Sequence, residues 1–291
     1  MKAAPFTYHA PDSVAAAIAL LGAHENARLL AGGQSLMPML NLRVAAPDHL
    51  IDLRRIASLR GVEECGDTLR IGAMTTQRRV EHSQLVAQFC PLLAEATALV
   101  GHQQTRNRGT IGGSLCHLDP GAELPVVACA LGAQMNITGA DGDRRVAFHD
   151  FAEGYLTTQL AADEILTSID WPKVPGRTGV AFREFNRRPA DFAIVSVAVQ
   201  ISLGADGSIA RAWLAFGGIQ PTPLRLAAAE AALEGASPAA LYAHWGRDMV
   251  ADIACDGDAL YPPDYRHHLC GTLLHRAVLA ACAKAQGASH V

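Results

Sequence analysis

The sequence contains no Cys-x-x-Cys pair. Its seven cysteines, Cys65, Cys90, Cys116, Cys129, Cys255, Cys270 and Cys282, are odd in number and scattered. That argues against a disulfide framework and against a self-contained iron–sulfur or zinc site, and buried free thiols are the expected state. There is no excess of positive charge: 24 Lys and Arg stand against 28 Asp and Glu, a net charge of −4. General nucleic-acid binding, which needs a basic face, is disfavoured. There is no long apolar run either. The longest, Leu124–Ala133, is far too short to cross a bilayer, so no membrane span is expected. The Ala-rich stretch from Val14 to Ala23 resembles a signal-peptide core in composition alone. Asp12 and Ser13 before it, and Gly22 near its end, read instead as helix boundaries. With no targeting segment, a cytoplasmic location is expected. Finally, neither G-x-G-x-x-G nor the P-loop pattern occurs, which disfavours a nicotinamide-type Rossmann site and an NTPase.

What is present is apolar bulk, 50% of 291 residues, enough for a real core in two or three domains. Residues 12–22 read as a helix, with short strands at 28–31 and 49–53, a small α/β unit. The run GVEECGDTLRIGA reads as a hairpin turning at Gly66-Asp67. Helices are expected over 75–88 and 91–100, the second opened by Pro91. Thr110-Ile111 reads as a strand end, 112–121 as a loop and 122–132 as a buried helix. QMNITG, RRVAFHD and EILTSIDWP read as strands, and 173–179 as a Pro/Gly linker. Beyond it, VAFREFN, FAIVSVAVQISL and SIARAWLAFGGI predict three long strands, the last two joined by a turn at 204–207. The remainder from about 224 is Ala-rich and reads as helical.

Two loops carry the chemistry. AGGQSL at 31–36 and IGGSL at 111–115, about eighty residues apart, each place Gly-Gly and a small polar residue after a strand. Glycines let consecutive N–H groups face one concavity and admit a ligand without a Cβ in its way. Ser35, Thr110 and Ser114 add hydroxyls, and Arg106 and Arg108 stand just upstream of the second loop. Each Gly-Gly alone reads more readily as a plain turn. The pair together suits the two sides of a pyrophosphate.

AGGQSLMPMLNLR and TIGGSLCHLDPGAELP, followed by FREFNRRPADFAIVSVAV and YRHHLCGTLLHRAV, resemble the FAD-binding medium subunits of the molybdenum hydroxylases, the carbon monoxide dehydrogenase and xanthine dehydrogenase family. The resemblance covers essentially the entire chain. It implies an α+β fold: a PCMH-type FAD-binding region of two α+β subdomains, 1–55 and 56–175, then a C-terminal α+β domain, 178–291, with a three-stranded antiparallel sheet and helices. It implies FAD held by Leu29, Leu30, Ala31, Gly32, Gly33, Gln34, Ser35 and Leu36 in one loop, and by Thr110, Ile111, Gly112, Gly113 and Ser114 in the other. Glu123 stands where the family commonly has an aspartate facing the adenosine end. Leu166 and Arg183 match further FAD-contacting positions and Val100 an apolar wall, while His117 reads equally as a cofactor contact or as a solvated loop histidine.

Plainer readings stand beside these. Glu123 can be a helix N-terminal carboxylate favoured by the dipole. Asp119 can cap that helix with Pro120 just inside it. Arg187, Arg188 and Asp191 suit an interdomain salt bridge or a subunit contact.

By the same resemblance, a large partner subunit carries molybdopterin and hydroxylates the substrate, and a small one carries two [2Fe-2S] clusters. Electrons pass through those clusters to FAD on this chain and on to an external acceptor. No catalytic residue and no metal ligand of its own is then expected here, and no insertion for an extra cluster is visible. A dimer of heterotrimers is the family's implied assembly. The competing reading is a free-standing FAD-dependent oxidase or reductase of related fold.

Overall fold

The first fifty-odd residues build a small parallel layer. In the computed structural model, which describes residues 1–241 and 245–287, β1 (Thr7–His9) leads to α1 (Val14–Ala23), β2 (Ala27–Leu30), α2 (Leu36–Leu42) and β3 (His49–Asp52). Residues 242–244 and 288–291, inside the expected C-terminal domain of 178–291, lie outside the described residues. The Ser13 hydroxyl accepts from Ala16 N–H and starts α1, satisfying one of the orphan donors of a first turn. The strand order is β1-β3-β2, with both pairings parallel.

The second layer is an antiparallel sheet of five strands, ordered β4-β5-β10-β6-β7. The hairpin of β4 (Val62–Cys65) and β5 (Thr68–Gly72) turns at Gly66, with φ +59°. Six helices follow: α3 (Gln77–Glu81), α4 (Gln84–Phe89), α5 (Pro91–Leu99), α6 (Gln103–Arg108), α7 (Ile111–His117) and α8 (Glu123–Leu131). Ser83 breaks the segment expected as one helix over 75–88, because its hydroxyl caps α4 by accepting from Val86 N–H. Pro91 opens α5. β6 (Gln134–Gly139) and β7 (Gly142–Ala147) form the next hairpin. RRVAFHD was expected as strand throughout, but its end turns into α9 (Phe148–Phe151), whose two phenylalanines are buried. The small pair β8 (Ala152–Gly154) and β9 (Thr157–Thr158) precedes β10 (Ile165–Pro172), which lies between β5 and β6.

The C-terminal sheet has four strands, not three: β11 (Thr178–Phe185), β12 (Val195–Leu203), β13 (Ile209–Gly217) and β14 (Leu224–Arg225). β14 pairs only two residues with β13, Ala215 with Arg225 and Phe216 with Leu224. A strand that short, next to two prolines, carries no alternation to read. Helices α10 (Ala227–Leu233), α11 (Trp245–Asp248) and α12 (Pro263–Ala285) complete the chain. α12 buries Leu269, Cys270, Leu273, Leu274, Ala277, Val278, Ala281 and Cys282, the three- and four-residue spacing of one apolar stripe.

Every residue of β12 is buried, because its two faces serve two cores. Ala198 joins the core of the five-stranded layer, as do Val180, Phe182 and Ala215. Val197, Val199 and Ile201 join the core beneath α12. A strand covered on both faces reads as a continuous apolar run, as VSVAVQISL does.

Glu95 on α5 ties the layers together. Its Oε1 accepts from Phe182 N–H at 2.9 Å and from Arg183 Nη1 at 3.3 Å, and its Oε2 from Lys284 Nζ at 2.6 Å. Lys284 also donates to Val180 O at 2.8 Å. One carboxylate thus joins α5, β11 and α12. Glu95→Ala is expected to lower the unfolding free energy by about 1–2 kcal/mol, a figure already reduced for the partial exposure of both cations. Urea denaturation monitored by circular dichroism checks it, and an unchanged midpoint would show that the clamp contributes nothing.

Candidate functional site

The two glycine loops meet. A Cβ placed on Gly32 would collide with the carbonyl of Arg108 and lie 2.8 Å from Gly109 Cα, and one on Gly113 would lie 3.4 Å from Ala31 Cβ. Gly32 therefore lets the first loop seat directly on the backbone that enters the second. Gly33 has φ +73°, a conformation that carries little cost only for glycine.

The loops differ in how their amides are used. In the second, residues 111–117 form helix α7 rather than the expected strand end and loop. Thr110 is its N-cap and pairs with Thr76 in an isolated bridge. Ile111 N–H donates to Thr75 O, Gly112 N–H to Ala73 O, Gly113 N–H to Thr110 Oγ1 and Ser114 N–H to Thr110 O. A Cβ on Gly112 would collide with Ala73, so this glycine serves close packing. Ala73 N–H in turn donates to Thr167 O, which links the loop to β10 beside Leu166. The second loop has spent its amides internally, and keeps only hydroxyls, Ser114 Oγ among them, to offer a ligand. In the first loop the N–H groups of Gly32, Gly33, Gln34 and Ser35 find no partner among the described residues, and neither does Ser35 Oγ. A row of unpaired donors on a Gly-Gly turn is an anion cradle.

The two arginines expected to lend charge have separate fates. Arg106 holds Glu81 with two guanidinium nitrogens, at 2.9 and 3.1 Å, and donates to the carbonyls of Val100 and Gly101. It braces helices and is not available to a phosphate. Arg108 is exposed, with no partner among the described residues.

Glu123 opens α8 and is buried, and its only hydrogen bond among the described residues is with its own backbone N–H. Burial pushes its carboxyl up to about 8, and repulsion from Glu184 and Asp119 adds to this. Asp119 does not cap α8. Its Oδ1 accepts from Gly121 N–H, the N-cap is Ala122, and Pro120 lies outside the helix. Glu184 was not singled out in the sequence. Its Oε1 accepts from Asn186 Nδ2, its Oε2 is buried without a partner, and burial pushes it up to about 7. Only its place between Arg183 and Phe185 on a half-buried strand could have signalled it.

Of the other expected residues, Leu29 and Leu30 lie on β2 and Leu36 begins α2. Val100 is the C-cap of α5, and Leu166 is buried on β10 opposite Ile137. His117 sits in the last turn of α7, half-buried, rather than in a loop. Arg183 engages Glu95 and Phe182 O, so its guanidinium is partly committed to the interdomain clamp. Arg187 and Arg188 pair with Asp191 at 3.7 and 3.2 Å, a local turn contact and not an interdomain bridge. A cleft of about 360 Å³ lined by Val14, Arg60, Arg70 and Thr167, among others, includes no residue of either glycine loop.

Residues 4–174 match the family described as FAD binding domain in molybdopterin dehydrogenase, and residues 180–281 match the CO dehydrogenase flavoprotein C-terminal domain. The chain belongs to the FAD-binding medium chains of the molybdenum hydroxylases. It is 37% identical to the carbon monoxide dehydrogenase medium chain of Hydrogenophaga pseudoflava, over 96% of this chain and 98% of that one. It is 35% identical to the nicotine 6-hydroxylase medium subunit of Paenarthrobacter nicotinovorans, over 98% and 100%. The solved carbon monoxide dehydrogenase from Hydrogenophaga pseudoflava, in a form lacking the Mo-pyranopterin moiety, superposes with a TM-score of 0.92 at 38% identity, covering 98% of this chain and 99% of that one. This medium chain is therefore an oxidoreductase subunit with an FAD-binding domain. Its residues suit that cofactor: unpaired amides for an anionic pyrophosphate, and a buried carboxyl lacking an external partner for hydroxyl donors. No helix among the described residues is long and apolar enough to cross a membrane.

Three outcomes follow for the medium chain free of flavin. Glu123 and Glu184 have folded values above their ordinary 4.5, so their protonated forms favour the folded state. The stability they contribute is complete below about pH 4.5, declines as pH rises, and is gone above about pH 8. Urea midpoints from pH 5 to 8 are expected to fall, and Glu123→Gln to flatten the fall. Separately, Gly32→Ala is expected to destabilise the chain by about 1–3 kcal/mol through the collision with Arg108 O. Gly22→Ala, on a helix with open space around it, is expected to stabilise by about 0.4–1 kcal/mol.

Proposed function

We propose that this medium chain is the electron-relay subunit of a heterotrimeric molybdenum-containing hydroxylase or dehydrogenase. A large subunit carries molybdopterin and the substrate, and a small one carries two [2Fe-2S] clusters. The relay runs from those clusters to an external acceptor. When bound, FAD supplies the one- and two-electron chemistry that this requires. The observation that carries the reading is the row of unpaired amides at Gly32–Ser35, seated against the second glycine loop. The near-full-length match to medium chains supports this reading over a free-standing FAD-dependent oxidase or reductase.

In this reading the chain binds and positions, and moves no atoms of substrate. The N–H groups of Gly32, Gly33, Gln34 and Ser35 hold the pyrophosphate, with hydroxyls from Ser35, Thr110 and Ser114 and charge from Arg108. Glu123 accepts from hydroxyl groups at the adenosine end. Leu29, Leu30, Ala31, Leu36, Val100, Ile111 and Leu166 form apolar walls, Gly112 and Gly113 hold the second loop close, and His117 and Arg183 flank the site. The subdomains are 1–55 and 56–175, with the C-terminal domain at 178–291. Seven unpaired cysteines agree with a reducing, cytoplasmic setting. A dimer of heterotrimers is the proposed assembly. The hydroxylated substrate is set elsewhere, in keeping with relatives named for carbon monoxide and for nicotine.

The test is the flavin itself. Denaturation of the purified chain is expected to release FAD, one per chain, without iron or molybdenum. Ser35→Ala and Ser114→Ala remove hydroxyls that have no hydrogen-bond partner among the described residues, so melting without flavin should not change. FAD affinity should fall about tenfold for each, the loss of one hydrogen bond to a charged group. Undiminished affinity in both variants would displace the loop assignment.

A further inference from the structure

Three histidines far apart in sequence meet on the N-terminal layer. His9 ends β1, His24 is the C-cap of α1, and His49 begins β3. His9 and His49 lie on the same face, because Thr7 pairs with His49 and His9 with Ile51 in a parallel register. Their ring nitrogens, Nε2 of His9 and Nδ1 of His49, are 3.0 Å apart. The His24 ring stacks on His49 with centroids 3.9 Å apart and planes 10° from parallel. The His9 ring lies 5.0 Å from His24 and 5.3 Å from His49. One nitrogen from each ring falls within 4.8 Å of the others, and all three side chains are partly open to solvent.

We infer that His9, His24 and His49 form a three-imidazole site for a late first-row divalent metal ion such as Zn²⁺. Nothing in the electron-relay reading uses these residues, and the site stands independently of it. A 3.0 Å contact between two ring nitrogens needs a proton on one and a bare lone pair on the other. A cation in place of that proton uses both lone pairs. Tetrahedral zinc, with Zn–N near 2.0–2.1 Å, holds its nitrogens ~3.3 Å apart. The widest separation in the cluster therefore has to close by at most ~1.5 Å. The rings must fan out of their stack to do so, and all three are partly open to solvent, at the end of β1, the cap of α1 and the start of β3. Imidazole selects zinc, nickel and copper over magnesium or calcium, which prefer oxygen. The fourth position is left to water, as in open three-histidine sites. The ion would staple β1, α1 and β3 of the layer from which the first glycine loop emerges.

The experiment uses the full chain with any polyhistidine tag removed, dialysed against Zn²⁺ and, for its spectrum, Co²⁺ at pH 7.5. The expected result is one ion per chain, a visible Co²⁺ d–d band without thiolate charge transfer, and a melting temperature that rises with Zn²⁺. His24→Ala and His49→Ala should each lose the stoichiometric binding and the metal-dependent rise. Circular dichroism without metal identifies any variant that fails to fold. His9→Asn, at the edge strand, then provides the readout in its place. The site is overturned if the wild-type chain binds no ion, if binding persists undiminished in folded variants, or if the Co²⁺ spectrum carries a thiolate band, which would put the ion on cysteine.

Discussion

The fold around the two glycine loops depends on one contact in which no side chain can stand: Gly32 against the peptide of Arg108 and Gly109. That approach fixes the first loop by packing, so its amides need no partners of their own. The second loop does the opposite. It is held by Thr75, Ala73 and Thr110 through its own N–H groups, and so becomes a rigid wall. The division of labour is physical. One Gly-Gly supplies donors and the other supplies closeness, although the two look alike in sequence.

That likeness explains what could and could not be read from the residues. Local chemistry was legible: the Gly66-Asp67 hairpin, the turn at 204–207, Pro91 at a helix start and the apolar stripe of α12 all declare themselves within a few positions. The two Gly-Gly loops were legible as a pair, and the structure brings them together. Helix α7 was not, because Gly112-Gly113 argue locally for a loop. What makes them helical is a Thr110 cap and bonds to residues 73 and 75, nearly forty positions earlier. Arg106 looked like a phosphate ligand by proximity in sequence, but Glu81 claims it in space. The three histidines are separated by 15 and 25 residues, with no motif spacing, and only the parallel register of β1 and β3 brings them together.

Charge and thiols follow the same economy. Most buried carboxylates have a named partner, such as Asp170 with Arg70 or Glu230 with Arg225, as burial of charge demands. Glu123 and Glu184 stand apart, and they cluster near the N-terminus of α8. Cys90 and Cys129 are pushed up to about 12 by burial, which leaves them protonated and chemically quiet. These two thiols are thus held in the core as small apolar groups.

β12 has a further meaning for how such chains change over time. Residues 4–174 and 180–281 match two separate family descriptions, which suggests parts free to be exchanged at the linker between them. The strand says otherwise. Along β12, Ala198 closes one core while Val197, Val199 and Ile201 close the other. A recombinant that joins one chain's first half to another's second half would mate two surfaces that were never fitted to each other. The linker is where the sequence is easiest to cut, and the alternating residues of one central strand are why the halves must be inherited together.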